Sequence, residues 1–508
     1  MHKLTIRQLT LLSTGGMIGA GWLFSPFYGY QTAGVGVLLS WGLTAVMTLI
    51  IGLSFAEVAT IIPIVGGTSR FISITHNKTV SLVFLLLGWL SYIVFLPLEV
   101  QSGMQYLGFW FHNLVITNGD TTTLSLTGLI ISLFIILLLT WFNTFLITNV
   151  AKLNTLISIW KILVPITIAF ILIFFYGNWE NVEISFVKHK LSFQSILLAI
   201  SSSGLAFAFT GFQNGLILAN MAHNPKKSLP YSLFAPILVG LILYISLSLI
   251  FITCLGDKYL ITGATAPLLG LLALFNVHVL FTLLFIDAVA APFGTANVYT
   301  AITGRILLGL AQDFLPNTIL TKLNKFSAPA ICLWVNAILG ACFLLPFPTW
   351  TQLVSFLSSI VVFAYLAGPI VLLVFRKDFP NLKRDFDLRY HNVIGYLGFI
   401  CCSLLIYWCG IYNLIYLIIA VTLAIILDIL FITKPTHKIK YFISNSFMIL
   451  YLLCLIIIQD LEHLNIILFP LDNLCVISLS IVFCYIFVKN KVNKDTIISN
   501  LLKHNINV

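Results

Sequence analysis

Long apolar runs follow one another along the chain, separated by short polar segments. A helix needs roughly 20 apolar residues to cross the hydrocarbon core of a bilayer. Fourteen runs of about that size predict spanning helices near residues 11–31, 36–62, 81–110, 123–145, 153–176, 193–220, 231–255, 276–310, 330–347, 351–375, 392–410, 411–432, 442–458 and 465–488. The stretch 267–310 also has room for a short extracellular helix before a tilted span, and we place a boundary between two spans at Gly410. The pattern therefore predicts an all-α integral membrane protein.

The composition supports this class of protein. Of the 508 residues, 60% are hydrophobic and only 8% are charged, whereas soluble domains carry about 25% charged residues. Charges this sparse would not cover a soluble core, so the lipid bilayer is the expected solvent. The nine cysteines form no CxxC pair and no Cys/His cluster with metal-site spacing. We therefore expect no metal, no disulfide framework and no cofactor.

The net charge of +10 would suggest nucleic acid as the partner of a soluble protein, but cytoplasmic loops of membrane proteins collect Lys and Arg. With the N-terminus inside, 22 of the 26 basic residues fall in predicted cytoplasmic segments. The pattern therefore predicts an even number of spans, two cytoplasmic termini and no nucleic-acid partner. The abundance of Ile, Asn and Lys indicates an AT-rich bacterial genome, and hence the cytoplasmic (inner) membrane.

Three classes of function remain for such a chain. A membrane-embedded enzyme would need a cluster of Asp, His, Arg or Glu at one membrane face, but the ten histidines are scattered. A receptor or scaffold would normally add a soluble sensing domain, and the longest loops, 177–192 and 376–391, are too short to fold alone. Transport across the membrane is therefore favoured, and we expect no enzymatic activity.

Two predicted spans carry glycine where a helix does not favour it. The first reads STGGMIGAGWLFSP and the sixth reads SSSGLAFAFTGFQNG. Close helix packing alone would explain such glycines, but interrupted helices in corresponding places of two halves point to a transporter site. Spans 1–5 and 6–10 then form two repeats, and because five is odd the second repeat is inverted. We predict repeats over 1–176 and 177–375, followed by four accessory spans and a cytoplasmic tail over 376–508.

Breaks of this kind free backbone groups that would bind the two charged groups of an amino acid. Freed amides near Gly19–Gly21 would hold a carboxylate beside the N-terminus of a half-helix. Freed carbonyls near Phe209–Gly211 would accept an ammonium group. Non-helical backbone persists at that depth only where it lines a cavity, so the two breaks predict a substrate cavity at the middle of the membrane.

Four motifs, in order, resemble one known family. They are Ile18–Gly21 with Trp22, FAEVATIIPIVGGTSRF (55–71), FTGFQNGLILANMAHNPKKSLP (209–230), and APFGTANVY with GRILLGLAQDFLP (291–316). Over roughly residues 5–375 the chain resembles the amino acid–polyamine–organocation superfamily of transporters. GWLFSP, GWLSYIVFLPLEV and FIDAVAAPFGT are similar to its aspartate:proton symporter-like branch. The resemblance implies amino acid transport by alternating access.

The chain departs from the superfamily's pattern after the break in the sixth span. Many members carry Glu near the position of Gln213 or after Leu218, whereas this chain has Gln213-Asn214 and Ala-Asn-Met at 219–221. A carboxylate role therefore does not transfer to this segment.

Charged residues inside predicted spans include Glu57, Glu99, Lys161, Asp287 and Asp428. A charge at the bilayer centre costs about 2.5–3.5 kcal/mol on insertion scales, so each needs a reason. The resemblance implies that Lys161 lies where sodium-coupled relatives bind an ion, and that Glu99 faces the substrate cavity. A structural ion pair or a snorkelled anchor is the alternative for Lys161, and an interfacial hydrogen-bonded carboxyl is the alternative for Glu99. Asp428 lies outside the core and is interpreted as structural.

Together these observations predict a symporter of an amino acid and a proton, with an amino acid or amine exchanger and a sodium-coupled symporter as alternatives. We expect coupling or gating roles for Lys161, Asp287 and Glu57. The predicted substrate-binding residues are Ile18, Gly19, Ala20, Gly21, Glu99, Phe209, Thr210, Gly211 and Phe212. Which amino acid is carried is left open, because a site made of backbone groups contacts only the amino and carboxyl groups of the substrate.

Overall fold

A computed structural model describes residues 4–62, 68–118, 121–145, 150–188, 191–217, 222–255, 265–315, 317–431, 442 and 445–503. The structure is almost entirely helical over these residues. Its helices are α1 Ile6–Met17, α2 Gly21–Ala33, α3 Val37–Ile61, α4 Ile72–Thr75, α5 Lys78–Gly108, α6 Leu126–Asn143, α7 Val150–Tyr176, α8 Glu180–Lys188, α9 Phe193–Ser202, α10 Leu205–Ala208, α11 Asn214–Ile217, α12 Pro225–Ile250, α13 Pro267–Leu274, α14 His278–Phe314, α15 Ala330–Cys342, α16 Trp350–Tyr365, α17 Ala367–Asp378, α18 His391–Tyr407, α19 Ile411–Phe431, α20 Phe447–His463, α21 Leu471–Lys489 and α22 Lys494–Lys503. Two short strands, β1 Val115–Asn118 and β2 Thr121–Leu124, pair antiparallel between α5 and α6.

The predicted multi-pass membrane architecture is confirmed. Helix lies within each of the fourteen predicted apolar stretches. By length and composition, nine helical segments of the described residues are able to cross a membrane. The short helix expected before the eighth span is α13. Gly410 separates α18 from α19 in a left-handed conformation, with φ of 89°, which a glycine adopts without strain.

The first and sixth spans are both broken, as the glycine pattern predicts. In the first span α1 ends at Met17 and α2 begins at Gly21. In the sixth span α9, α10 and α11 are separated at Gly204 and Gly211, whose φ angles are 76° and 106°. The fold is therefore the all-α inverted five-plus-five repeat with accessory C-terminal spans.

The two repeats interlock around these breaks. Helix α1 of the first repeat packs against α12 and α11 of the second, and α14 of the second packs along α5 of the first. Helix α7 contacts both α1 and α14. The broken segments therefore lie in the middle of the bundle, with α5, α7, α12 and α14 around them.

The accessory spans pack on the outside of the repeats through buried polar contacts. Thr79 Oγ1 donates to Asp428 Oδ2 at 2.5 Å and ties α5 to α19. His76, in the turn before α5, lies 2.9 Å from the carbonyl oxygen of Phe487 through its Nε2 atom. Burial lowers the pKa of His76 to about 4, so its ring is neutral at physiological pH. The position of Asp428 in a contact between helices agrees with its structural interpretation.

Candidate functional site

The two breaks touch backbone to backbone. A Cβ atom on Gly21 would lie 2.9 Å from Ala208 Cα in α10. A Cβ atom on Gly211 would lie 2.9 Å from the carbonyl carbon and oxygen of Gly16 and from the amide nitrogen of Met17. Real Cβ atoms do not approach other atoms so closely, so any side chain at these positions would force the broken spans apart. The structure thus brings the predicted residues of the first and sixth spans together.

Glu99 of α5 reaches the N-terminus of α2. The Ala20 amide donates a hydrogen bond to Glu99 Oε1 at 3.1 Å. A Cβ atom on the neighbouring Gly19 would overlap this same carboxylate oxygen, so the carboxylate fits only because residue 19 has no side chain. Glu99 is 1% exposed, and its other oxygen, Oε2, has no hydrogen-bond partner among the described residues. An anion at this place is favoured by the positive end of the helix dipole.

Lys161 of α7 reaches the other side of the same break. Its ammonium nitrogen donates to Thr295 Oγ1 in α14 at 2.5 Å and to the Gly15 carbonyl oxygen at 3.5 Å. The side chain is 1% exposed. Gly15 lies in the last turn of α1, where carbonyl groups carry the negative end of the helix dipole. Lys161 therefore links the first span to α14 with a positive charge at the C-terminal end of α1.

Asp287 of α14 is also fully buried, and neither of its carboxylate oxygens has a hydrogen-bond partner in the described structure. The charges of Asp287 and Glu99 both interact with that of Lys161. A buried cation between two acidic groups lowers the cost of holding each of them in a low-dielectric interior. Lys161, Glu99 and Asp287 therefore form one electrostatic group beside the broken first span.

In the break of the sixth span, some hydrogen-bonding groups are already paired with other groups of the same segment. Thr210 Oγ1 donates to the Phe207 carbonyl at 2.5 Å. The Gly211 carbonyl accepts from the amide of Asn214 at 2.9 Å. The rings of Phe209 and Phe212 pack against neighbouring helices. The ring centroid of Phe212 lies 5.5 Å from that of Tyr365 in α16. The role of this segment in holding an ammonium group stays a prediction.

Sequence reasoning missed a polar network beside the breaks. Tyr92 of α5 donates to Asn214 Oδ1 at 3.1 Å, and Asn214 Nδ2 donates to the hydroxyl of Tyr299 in α14 at 3.5 Å. Tyr299 in turn donates to the Gly16 carbonyl at 3.2 Å. The spacing of Tyr92 and Glu99, two helical turns apart on α5, was an available signal that both side chains share one face.

Glu57 belongs to a different cluster. It is fully buried at the end of α3, where Arg376 of α17 donates to both of its oxygens at 2.7 and 2.6 Å. Arg384 pairs with it at 3.1 Å, and the Leu388 amide donates to it at 3.0 Å. Arg376 also donates to the exposed Asp387, and this hydrogen bond holds the pKa of Asp387 below its usual range. Glu57 therefore ties α3 to α17 and to the segment 379–390.

The same side of the bundle is held together by two further contacts. Lys226, at the start of α12, pairs with Asp385 at 2.6 Å. Leu4, before α1, forms a parallel bridge with Ala222, and its carbonyl accepts from the His223 amide at 2.9 Å. The starts of α1 and α12, together with Glu57, therefore lie at the same end of the helix bundle.

A sequence model described as amino acid permease matches residues 4–458 of the chain. The protein belongs to the amino acid permease family. The permease is 30% identical over 499 residues to the glutamate/serine transporter AimA of Bacillus subtilis, a match that covers 94% of this chain and 91% of the relative. It is 30% identical over 416 residues to the aspartate-proton symporter of the same organism, which covers 80% and 79% of the two chains. The family and these relatives are transporters, which confirms that the function is transport and not enzymatic.

A third similar protein is the branched-chain amino acid permease BcaP of Bacillus subtilis, 24% identical over 449 residues, with 84% of this permease and 92% of the relative covered. The family model and the two 30% identical relatives confirm the predicted superfamily. Among the described residues of the permease, no group of three or more His, Cys, Asp or Glu side chains is arranged to hold a metal ion.

Proposed function

We propose that this permease carries an amino acid together with a proton, and that Lys161 carries the proton. The observation that supports this most is the position of the Lys161 ammonium group between the Gly15 carbonyl and the Thr295 hydroxyl. A cation at that place bridges the broken first span and α14. Loss of the proton removes the charge that holds the bridge, so protonation is linked to the position of α1.

Burial makes the release of this proton feasible. Desolvation disfavours the charged form of a lysine, whereas neighbouring carboxylates favour it. Lys161 is 1% exposed, so burial acts against its charge while Glu99 and Asp287 act in favour of it. An arginine at this place would keep its charge, because guanidinium does not deprotonate in proteins. The choice of lysine at this position supports a role in which the proton is released.

The proposed substrate site lies at the two breaks. The N-terminus of α2 offers amides to the substrate carboxylate, and the backbone at Phe209–Gly211 offers carbonyl groups to its ammonium group. Similar proteins are a glutamate/serine transporter and an aspartate-proton symporter. We therefore take L-serine, L-glutamate and L-aspartate as the first substrates to test.

The Glu57 cluster supports a gate on the cytoplasmic side. With both termini in the cytoplasm, the contacts of Glu57, of Lys226 with Asp385, and of Leu4 with Ala222 close that side of the bundle. Opening toward the cytoplasm then requires α3 and α12 to separate from the segment 379–390, and the start of α1 to separate from Ala222. In this proposal Glu57 acts in gating and does not carry the coupling proton.

Uptake into proteoliposomes tests the substrate class. A liposome with an inward proton gradient is expected to accumulate radiolabelled L-serine, L-glutamate or L-aspartate, and the free amino acid is expected to compete for uptake. The corresponding amide, such as L-serinamide, is expected to compete at least about tenfold less well, because the N-terminus of α2 then has no carboxylate to bind. Strong competition by the amide would indicate an amine substrate and contradict the proposal.

A further inference from the structure

The place proposed for the substrate carboxylate is already filled by a carboxylate of the protein. Glu99 Oε1 accepts the Ala20 amide at 3.1 Å, at the N-terminus of α2. The absence of a side chain at Gly19 gives it room. Glu99 is 1% exposed, so this contact lies inside the helix bundle. Glu99 thus binds the first span as the α-carboxylate of an amino acid would.

From this geometry we propose that Glu99 is an internal competitor of the substrate. It holds the Ala20 amide when the site contains no amino acid, and it takes up one proton and leaves the amide when the substrate carboxylate binds there. This inference rests on the proposed function, because it concerns the same site. It adds a second proton-binding group and makes carboxylate binding itself the event that drives proton uptake.

Two physical effects require the exchange. First, two carboxylates at one helix terminus repel each other, so both do not stay ionised at hydrogen-bond distance from the same amide. Second, Glu99 Oε2 has no hydrogen-bond partner in the described structure. Once Oε1 loses the Ala20 amide as well, an ionised Glu99 would be a buried charge without hydrogen bonds, which is far costlier than a neutral carboxyl group.

Glu99 itself accepts this proton, because the titratable groups that face it do not. Burial disfavours the ionised form of Glu99, and in the empty site the hydrogen bond from the Ala20 amide and the charge of Lys161 oppose that cost. Tyr244 of α12 and Tyr299 of α14 also interact with it. Tyrosine hydroxyls stay protonated at neutral pH, so neither tyrosine accepts a further proton. The proton comes from solvent and remains on the Glu99 carboxyl group while the substrate is bound.

The two ends of the first break then have separate roles. Lys161 places a positive charge at the C-terminal end of α1, and Glu99 places a negative charge at the N-terminal end of α2. Each charge opposes a helix dipole end of the opposite sign. A substrate carboxylate competes only with Glu99, so binding leaves the Lys161 bridge in place until that lysine loses its own proton.

Proton uptake on binding is measured by titration calorimetry of the purified full-length protein in buffers of different ionisation enthalpy. With L-serine as the probe, wild type is expected to take up about one proton per amino acid bound. Glu99→Gln is expected to take up about one proton fewer, because the amide side chain does not titrate. L-serinamide, which has no carboxylate, is expected to cause no uptake from Glu99. Asp428→Asn removes another buried carboxyl group outside the repeats and is expected to match wild type.

An infrared difference spectrum of wild type gives the same answer without a variant. Addition of L-serine is expected to produce the band of a protonated carboxyl group, and L-serinamide is expected not to. Equal proton uptake in wild type and Glu99→Gln, or equal uptake with L-serine and L-serinamide, would overturn the inference while amino acid binding itself stood. If wild type bound none of L-serine, L-glutamate and L-aspartate, the proposed function would fail, and this inference with it.

Discussion

Lys161→Arg is expected to abolish amino acid accumulation driven by a pH gradient, with a loss of at least about tenfold in the initial rate. The guanidinium keeps the positive charge beside Gly15 and Thr295 but does not release a proton. The loaded carrier is still expected to exchange internal for external amino acid, since exchange needs no deprotonation. Net uptake and exchange measured in the same proteoliposomes separate the two steps.

Lys161→Ala serves as the comparison, because it removes both the charge and the proton. It is expected to lose net uptake and not to gain a simple dependence on external sodium. Should Lys161→Arg accumulate the amino acid as well as wild type does, Lys161 would be a structural cation only. The coupling role would then pass to Glu99 or Asp287.

Gly21→Val is expected to abolish uptake almost completely while leaving membrane insertion near normal. A Cβ atom at this position would lie 2.9 Å from Ala208 Cα, so the side chain pushes α2 away from the broken sixth span. The amides at the N-terminus of α2 then no longer face the substrate. Binding of L-serine to the purified variant, measured by thermal stabilisation, should fall by at least about tenfold.

Gly309→Val is the matched control for this substitution. Gly309 is also a glycine within a membrane helix, but a Cβ atom there meets no other atom within 4 Å. Both substitutions place a β-branched residue in a helix, but only at Gly21 would the side chain meet the backbone of another helix, so a difference between the variants reports on that contact. Unchanged L-serine affinity in Gly21→Val would contradict the placement of the substrate site.

The sequence predicted the broken spans because their cause is local. Gly211 adopts a left-handed φ of 106° and lies against the backbone of Gly16, and both properties require the absence of a side chain. Such positions are visible in one sequence as glycines where a helix does not favour them. The fourteen apolar stretches were visible for a similar reason, since hydrocarbon thickness sets their length.

The partners of the buried charges were not predictable in the same way. That Glu99 meets the Ala20 amide depends on how α5 is rotated against the first span, which is set by packing over the whole bundle. The same holds for Thr295, which bonds Lys161 from α14, and for the network of Tyr92 and Tyr299. The sequence identified Glu57 as a buried charge. It did not show that Arg376, on a helix more than 300 residues later in the chain, neutralises that charge.

Proton movement during amino acid entry tests the central claim most directly. Proteoliposomes containing a trapped pH indicator, without sodium and without internal amino acid, are expected to acidify inside when L-serine, L-glutamate or L-aspartate is added outside. Lys161→Ala is expected to show no acidification. Uptake of the labelled amino acid without acidification, and only when sodium or internal amino acid is supplied, would contradict proton symport and establish sodium coupling or exchange instead.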